Sequence, residues 1–261
     1  MKFLRPYSRY YLFLFLVLLF SIPFYIWGAI APVNGIPFGL PISFLMIFVP
    51  FTLSIIYQWK DRGMQGIRGL FLAIFDIKKI KGWSLLFSLF CMPIVLFLSY
   101  IWMQILKMPL PGEIVFPIKD IPLMALLYFL GAIPEEFGWT YILTEPITKQ
   151  TNPIIAGVII GGIWAVWHII PWSWAHPVWW IMGMILLDIL MRIGMILSYL
   201  HGGRSLFSAL VFHVMINISM GVFPNYGSHT NSLVISVFMM LILLVLGSFL
   251  HKGKIDNSGL K

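Results

Sequence analysis

Long apolar runs alternate with short polar segments along the whole chain. Eight of these runs, at about 10–30, 38–57, 83–106, 121–144, 154–174, 178–200, 205–223 and 232–250, are close to 20 residues long. As α-helices they match a hydrocarbon core of ~30 Å. The pattern predicts an all-α, polytopic membrane helical bundle of about eight transmembrane helices, with residues 1–261 as a single membrane domain. Composition agrees: 60% of residues are hydrophobic and 10% charged, with a mean hydropathy of +0.95, whereas soluble domains carry about 25% charged residues. The single cysteine, Cys91, lies in an apolar run, so there is no disulfide framework. Lys2, Arg5 and Arg9 before the first run resemble the start of a signal peptide. The run itself is long and bulky, and no small-x-small cleavage site follows, so it reads as a retained first span.

The net charge of +8 does not imply nucleic acid, because the cations are confined to short loops. With both termini in the cytoplasm, the outside loops hold only Lys107 and Lys119. Arg192 lies inside a span, and every remaining Lys and Arg falls on the inside. The positive-inside rule therefore predicts a multi-pass cell-membrane protein with cytoplasmic N- and C-termini. The longest inside segment, Gln58 to Gly82, is basic and fit to carry a short helix on an anionic leaflet. Trp27, Trp59, Trp83, Trp172, Trp174, Trp179 and Trp180 fall near span ends and read as interfacial anchors. Gly157 and Gly161 form a small-xxx-small face on the fifth span, which permits close helix packing.

Against this background the polar residues inside spans stand out. Glu135 and Glu136 sit in the apolar stretch Ile121 to Leu143. A charge near the bilayer centre costs at least ~2.5–3.5 kcal/mol, so a carboxylate pair there points to function. His168 closes a Trp164-x3-His turn, and His213 and Asn217 are four residues apart on one helix face. At 1.5 Å per residue, Glu135, His168, His213 and Asn217 all fall roughly 12–21 Å from the cytoplasmic boundary. Three helices thus bring polar groups to one layer. Consecutive glutamates point about 100° apart, so one addresses a water while the other is held by a structural partner. A glutamate can take a proton from water and return it to a leaving amine, and a histidine and an amide can donate to a tetrahedral oxyanion. A proton- or ion-coupled transporter is the competing class, against which stand the lack of an inverted repeat and of a broken helix pair. His176, His229 and His251 read as loop histidines, and His201 as a helix-end residue.

Glu135-Glu136-Phe-Gly-Trp, Trp164-x3-His168 and His213-x3-Asn217 resemble, in order and spacing, the three motifs of the CPBP family. That family groups type II CAAX prenyl endopeptidases with bacteriocin-processing and self-immunity proteins. The resemblance covers about 121–223, the expected catalytic core. It implies an intramembrane endopeptidase in which Glu135 activates water, His168 partners that water, His213 and Asn217 stabilise the oxyanion, and Glu136 braces the site. Members are often described as metalloproteases, and a metal-free mechanism is also argued. Metal use is therefore open between Zn2+, held by Glu135, His168 and His213, and no cofactor. The expected partners are a hydrophobic peptide or membrane-protein substrate and the lipid bilayer. Substrate identity and oligomeric state stay open.

One position departs from the family pattern. Thr140 stands where the first motif normally carries arginine, which leaves a buried carboxylate short of a partner. Two consequences follow: a degenerate site in a catalytically silent immunity or scaffold protein, or compensation by another cation. Arg192 is the only cation inside a span. Asp188, four residues before it, is positioned to neutralise it, and Arg192 is also available to the glutamate site.

Overall fold

The computed structural model describes residues 8–30 and 42–258, with side chains to residue 250. Lys2, Arg5, Pro32, Pro37, Lys261, the beginning of the second predicted span and the side chains of His251, Lys252 and Lys254 lie outside the described residues. Among the described residues there is no strand. The helices are α1 (Ser8–Ile30), α2 (Phe48–Leu72), α3 (Gly82–Ile105), α4 (Ile121–Glu136), α5 (Thr144–Gln150), α6 (Pro153–Ser173), α7 (Val178–His201), α8 (Leu206–Val222) and α9 (Ser232–Ser258). Seven helical segments are long and apolar enough to cross a membrane. The chain is a polytopic all-α membrane bundle. The remaining predicted span, α8, is a shorter apolar helix of 17 residues, about 25 Å long. It is cut short by the Ser205 cap at one end and by Phe223, with ψ of 142°, at the other.

Two predicted boundaries move. The second span runs on as helix to Leu72, interrupted at Gly63, whose φ of 58° and ψ of −144° leave the helical region. The fourth span stops being regular α-helix at Glu136, where Phe137–Ile142 widens into π-helical turns before α5 begins.

The core is built around α7, which is buried along most of its length. Its closest neighbour is α6, and the reason is readable in sequence. A Cβ on Gly157 would lie 2.4 Å from Ile193 Cγ1, and one on Gly161 would lie 2.8 Å from Ile189 Cα and 3.0 Å from Arg192 Cβ. Only glycine allows this approach, and it brings α6 directly against Arg192. Asn152 and Pro153 start α6, with Asn152 Oδ1 accepting from the Ile155 N–H at 2.9 Å. Buried hydroxyls tie α3, α7 and α8 together. Ser84 lies 2.7 Å from Ser198 and 2.8 Å from Ser208, and Ser88 lies 3.2 Å from both. Such interhelical bonds are worth roughly 0.6–2 kcal/mol each in a membrane.

The tryptophans divide. Trp27, Trp59, Trp174 and Trp179 are exposed, as interfacial anchors are. Trp180 is buried and donates to the Thr230 carbonyl at 3.1 Å. Trp172 stacks against His168.

Candidate active site

Glu135 and Glu136 are the last residues of α4, at its junction with the π-helical turns. Widened turns of this kind re-aim side chains and are frequent at functional sites. Both glutamates are buried, but their surroundings differ.

Glu136 is completely enclosed. Arg192 reaches it from α7 with Nη1 on Oε2 at 2.8 Å and Nη2 on Oε1 at 3.2 Å. Thr140 Oγ1 donates to Oε2 at 2.5 Å from one turn along the same segment. His213 Nδ1 lies 2.8 Å from Oε1. A carboxylate only accepts, so Nδ1 of His213 donates here, and Nε2 is the nitrogen left for other chemistry. The guanidinium thus gives Glu136 the counter-charge that a buried carboxylate needs.

This arrangement corrects one expectation. Asp188 and Arg192 do not neutralise each other by an ion pair; they serve different partners one helical turn apart on α7. Asp188 Oδ2 faces His168 Nδ1 at 3.3 Å, without the alignment of a hydrogen bond.

Among the described residues Glu135 has a single hydrogen-bond partner: Trp164 Nε1 donates to its Oε2 at 2.9 Å. It borders a cavity of about 580 Å3 between α4 and the chain around Ile47 and Phe48, lined also by Leu123, Leu127, Tyr128, Gly131 and Asn217. Glu135 and Asn217, from separate helices, therefore meet at one wall of an otherwise apolar space.

Trp164 joins the parts. Besides bonding Glu135, its ring lies 4.4 Å from Arg192 Cζ, 5.3 Å from the His168 ring and 5.5 Å from the His213 ring. A guanidinium over an indole face is attracted by the ring quadrupole. His168 is additionally stacked on Trp172, with ring centroids 5.0 Å apart. Among the described residues no hydrogen bond joins His168 to Glu135 or Asn217; it enters the cluster through Trp164.

The structure thus gathers Glu135, Glu136, His213 and Asn217 around the end of α4 and the middle of α8, with His168 beside them on α6. The conditional zinc set of Glu135, His168 and His213 is not drawn together as a three-ligand group in this structure. No three His, Cys, Asp or Glu side chains among the described residues converge as metal ligands. Sequence reasoning missed the indole N–H of Trp164 as a donor and Asp188 as the neighbour of His168. The signal for the first was a donor-bearing ring inside a motif already recognised; for the second it was an intramembrane carboxylate, which the sequence reading had assigned to Arg192.

Comparison with known proteins points the same way. Residues 117–219 match the family described as type II CAAX prenyl endopeptidase, Rce1-like. This segment contains Glu135, Glu136, His168, His213 and Asn217. Over 193 residues the chain is 23% identical to CAAX prenyl protease 2 of Methanococcus maripaludis, covering 66% of this chain and 69% of that protein. The resemblance drawn from the three motifs is borne out.

Proposed function

We propose, from the match of residues 117–219 to the Rce1-like type II CAAX prenyl endopeptidase family, an intramembrane endopeptidase that cleaves with glutamate-activated water. The observation that carries this reading is the asymmetry of the two glutamates: Glu136 is saturated by Arg192, Thr140 and His213, while Glu135 is bonded among the described residues by Trp164 alone and lines the cavity.

Glu135 takes a proton from a water in the cavity, and the resulting hydroxide attacks the scissile carbonyl carbon. Asn217 Nδ2, with Nε2 of His213 one helical turn away, stabilises the oxyanion. The proton returns from Glu135 to the leaving nitrogen as the C–N bond breaks. His168, packed beside Trp164, partners the water. Glu136 orients His213 and takes no part in the proton transfer. The apolar cavity lining favours a hydrophobic peptide or membrane-protein segment as substrate. The loop charges favour both termini on the cytoplasmic side, and the cavity beside Glu135 runs along α4 toward Leu123 and Asp120 at the helix's opposite end. The silent-scaffold reading rested on Thr140, and the contact of Arg192 with Glu136 supports the catalytic reading instead.

The test is peptidomics of membranes from cells expressing the wild type or Glu135→Ala. The proposal expects defined cleavage products to vanish, and their precursors to accumulate, with the variant. Identical peptide sets would contradict it.

A further inference from the structure

The helical run Ile42–Phe75 is 34 residues long. As one straight α-helix it would extend about 50 Å, well beyond a ~30 Å hydrocarbon core. Gly63 takes up the excess by leaving the helical region. The chain then folds back so tightly that a Cβ on Gly66 would lie 2.4 Å from the Gln58 carbonyl oxygen. Residues 64–75 therefore leave the axis of the preceding span.

This segment has two faces. Leu70, Ala73 and Ile74 pack into a core with Phe137, Leu206 and Leu210. Met64, Leu72 and Phe75 are 73%, 58% and 70% exposed. Around them Arg62, Arg68, Lys78 and Lys81 are exposed and form no ion pair among the described residues. Apolar side chains flanked by unpaired cations match the boundary between acyl chains and anionic headgroups.

We propose that residues 64–81 form an in-plane element that docks on anionic phospholipid headgroups, and that this docking steadies the helix carrying His213 and Asn217. The coupling is built into the element's end. Asp76 accepts from Ser205 Oγ at 2.6 Å and from the backbone N–H groups of Phe207 at 3.2 Å and Leu206 at 3.4 Å. It thereby satisfies the free amides at the start of α8 from outside that helix. Lys79 Nζ lies 3.1 Å from the same carboxylate, and the Lys81 N–H donates to the Gly202 carbonyl at 2.9 Å. Phe71 meets Phe137, the residue after Glu136, edge-on at 5.4 Å. The lipid-facing element thus holds both the first turn of α8 and the neighbour of the glutamate pair.

Hydrogen exchange of the full chain in nanodiscs tests this without reference to peptidase activity. One set of discs is phosphatidylcholine alone; the other contains added phosphatidylglycerol. The amides of residues 64–75 and of Leu206 and Phe207 exchange about tenfold more slowly in the anionic discs, the scale set by a few cations at a charged leaflet. In the variant Arg62→Gln/Arg68→Gln/Lys78→Gln/Lys81→Gln the two disc types give equal rates, while amides of α7 keep wild-type protection. Equal wild-type rates in both discs, or a difference that survives in the variant, would overturn the proposal.

Discussion

The two sides of the α4 end are one residue apart and opposite in character. On the Glu136 side, a carboxylate receives donors from Arg192, Thr140 and His213 and is closed off from any cavity. On the Glu135 side, a carboxylate receives one indole N–H and faces open apolar space. The saturated group costs little to bury, because its charge is compensated, and it has no free oxygen with which to do chemistry. The under-satisfied group is held in direction but left reactive. The comparison shows how adjacent identical residues acquire different roles from the helices they face: α7 and α8 for one, α6 and the cavity for the other.

Removing the charge that closes the Glu136 side breaks the comparison most severely. Arg192→Leu leaves a buried carboxylate without its cation, and truncating one member of such a pair costs about 3–5 kcal/mol. Thermal unfolding in detergent reads this as a large loss of stability. A restored arginine at Thr140 behaves in a particular way. Arg192 Nη1 already lies 3.4 Å from Thr140 Oγ1, so Thr140→Arg alone is destabilising by crowding and like charge. In Thr140→Arg/Arg192→Leu much of the stability lost in Arg192→Leu returns.

A smaller effect sharpens the Glu135 side. Trp164→Phe keeps a ring face for Arg192 and ring edges toward both histidines, and deletes only the N–H that aims Glu135. The turnover rate falls by about tenfold, the scale of one hydrogen bond to a charged group, with KM and melting temperature near wild type. An unchanged turnover rate would show that Glu135 needs no such guide.

The smallest effect lies outside the membrane. His176 stacks on Trp180 at 3.6 Å, and burial pushes its pKa below the ordinary histidine value. The unfolded chain then takes up this proton more readily than the folded one. Stability is unaffected well above pH ~6.5 and declines as pH falls through the window between the unfolded and the lower folded value. His176→Ala removes that slope from the melting temperature measured against pH.

The bundle was legible because lipid imposes hydropathy on every span, and the motif residues were legible because charges in such spans are rare. Gly157 and Gly161 were readable as a packing face for the same reason. Three features were hidden. The break at Gly63 sits in the polar, basic segment that follows the second apolar run, and a glycine there does not announce that helix continues on both sides of a positive φ. The π-helical turns after Glu136 have almost the same apolar spacing as an α-helix over so few residues. The partner of Arg192 was ambiguous because Asp188 at four residues' spacing satisfies the local rule equally well. The folded bundle resolves it by bringing Glu136 of α4 to Arg192 of α7. Trp172 and Trp180 misled because tryptophans near span ends usually face the interface, whereas here they pack around His168 and His176.

The central claim is that Glu135 reacts and Glu136 braces, and matched glutamine variants test it most directly. Each is measured for thermal stability in detergent and for turnover of a substrate identified by peptidomics. Glu135→Gln is expected to melt like the wild type and lose cleavage by about 10²–10⁴-fold, the range for removing a general base. Glu136→Gln, which strips Arg192 of its counter-ion, is expected to melt well below the wild type. Wild-type cleavage by Glu135→Gln, or wild-type stability of Glu136→Gln, would contradict the account.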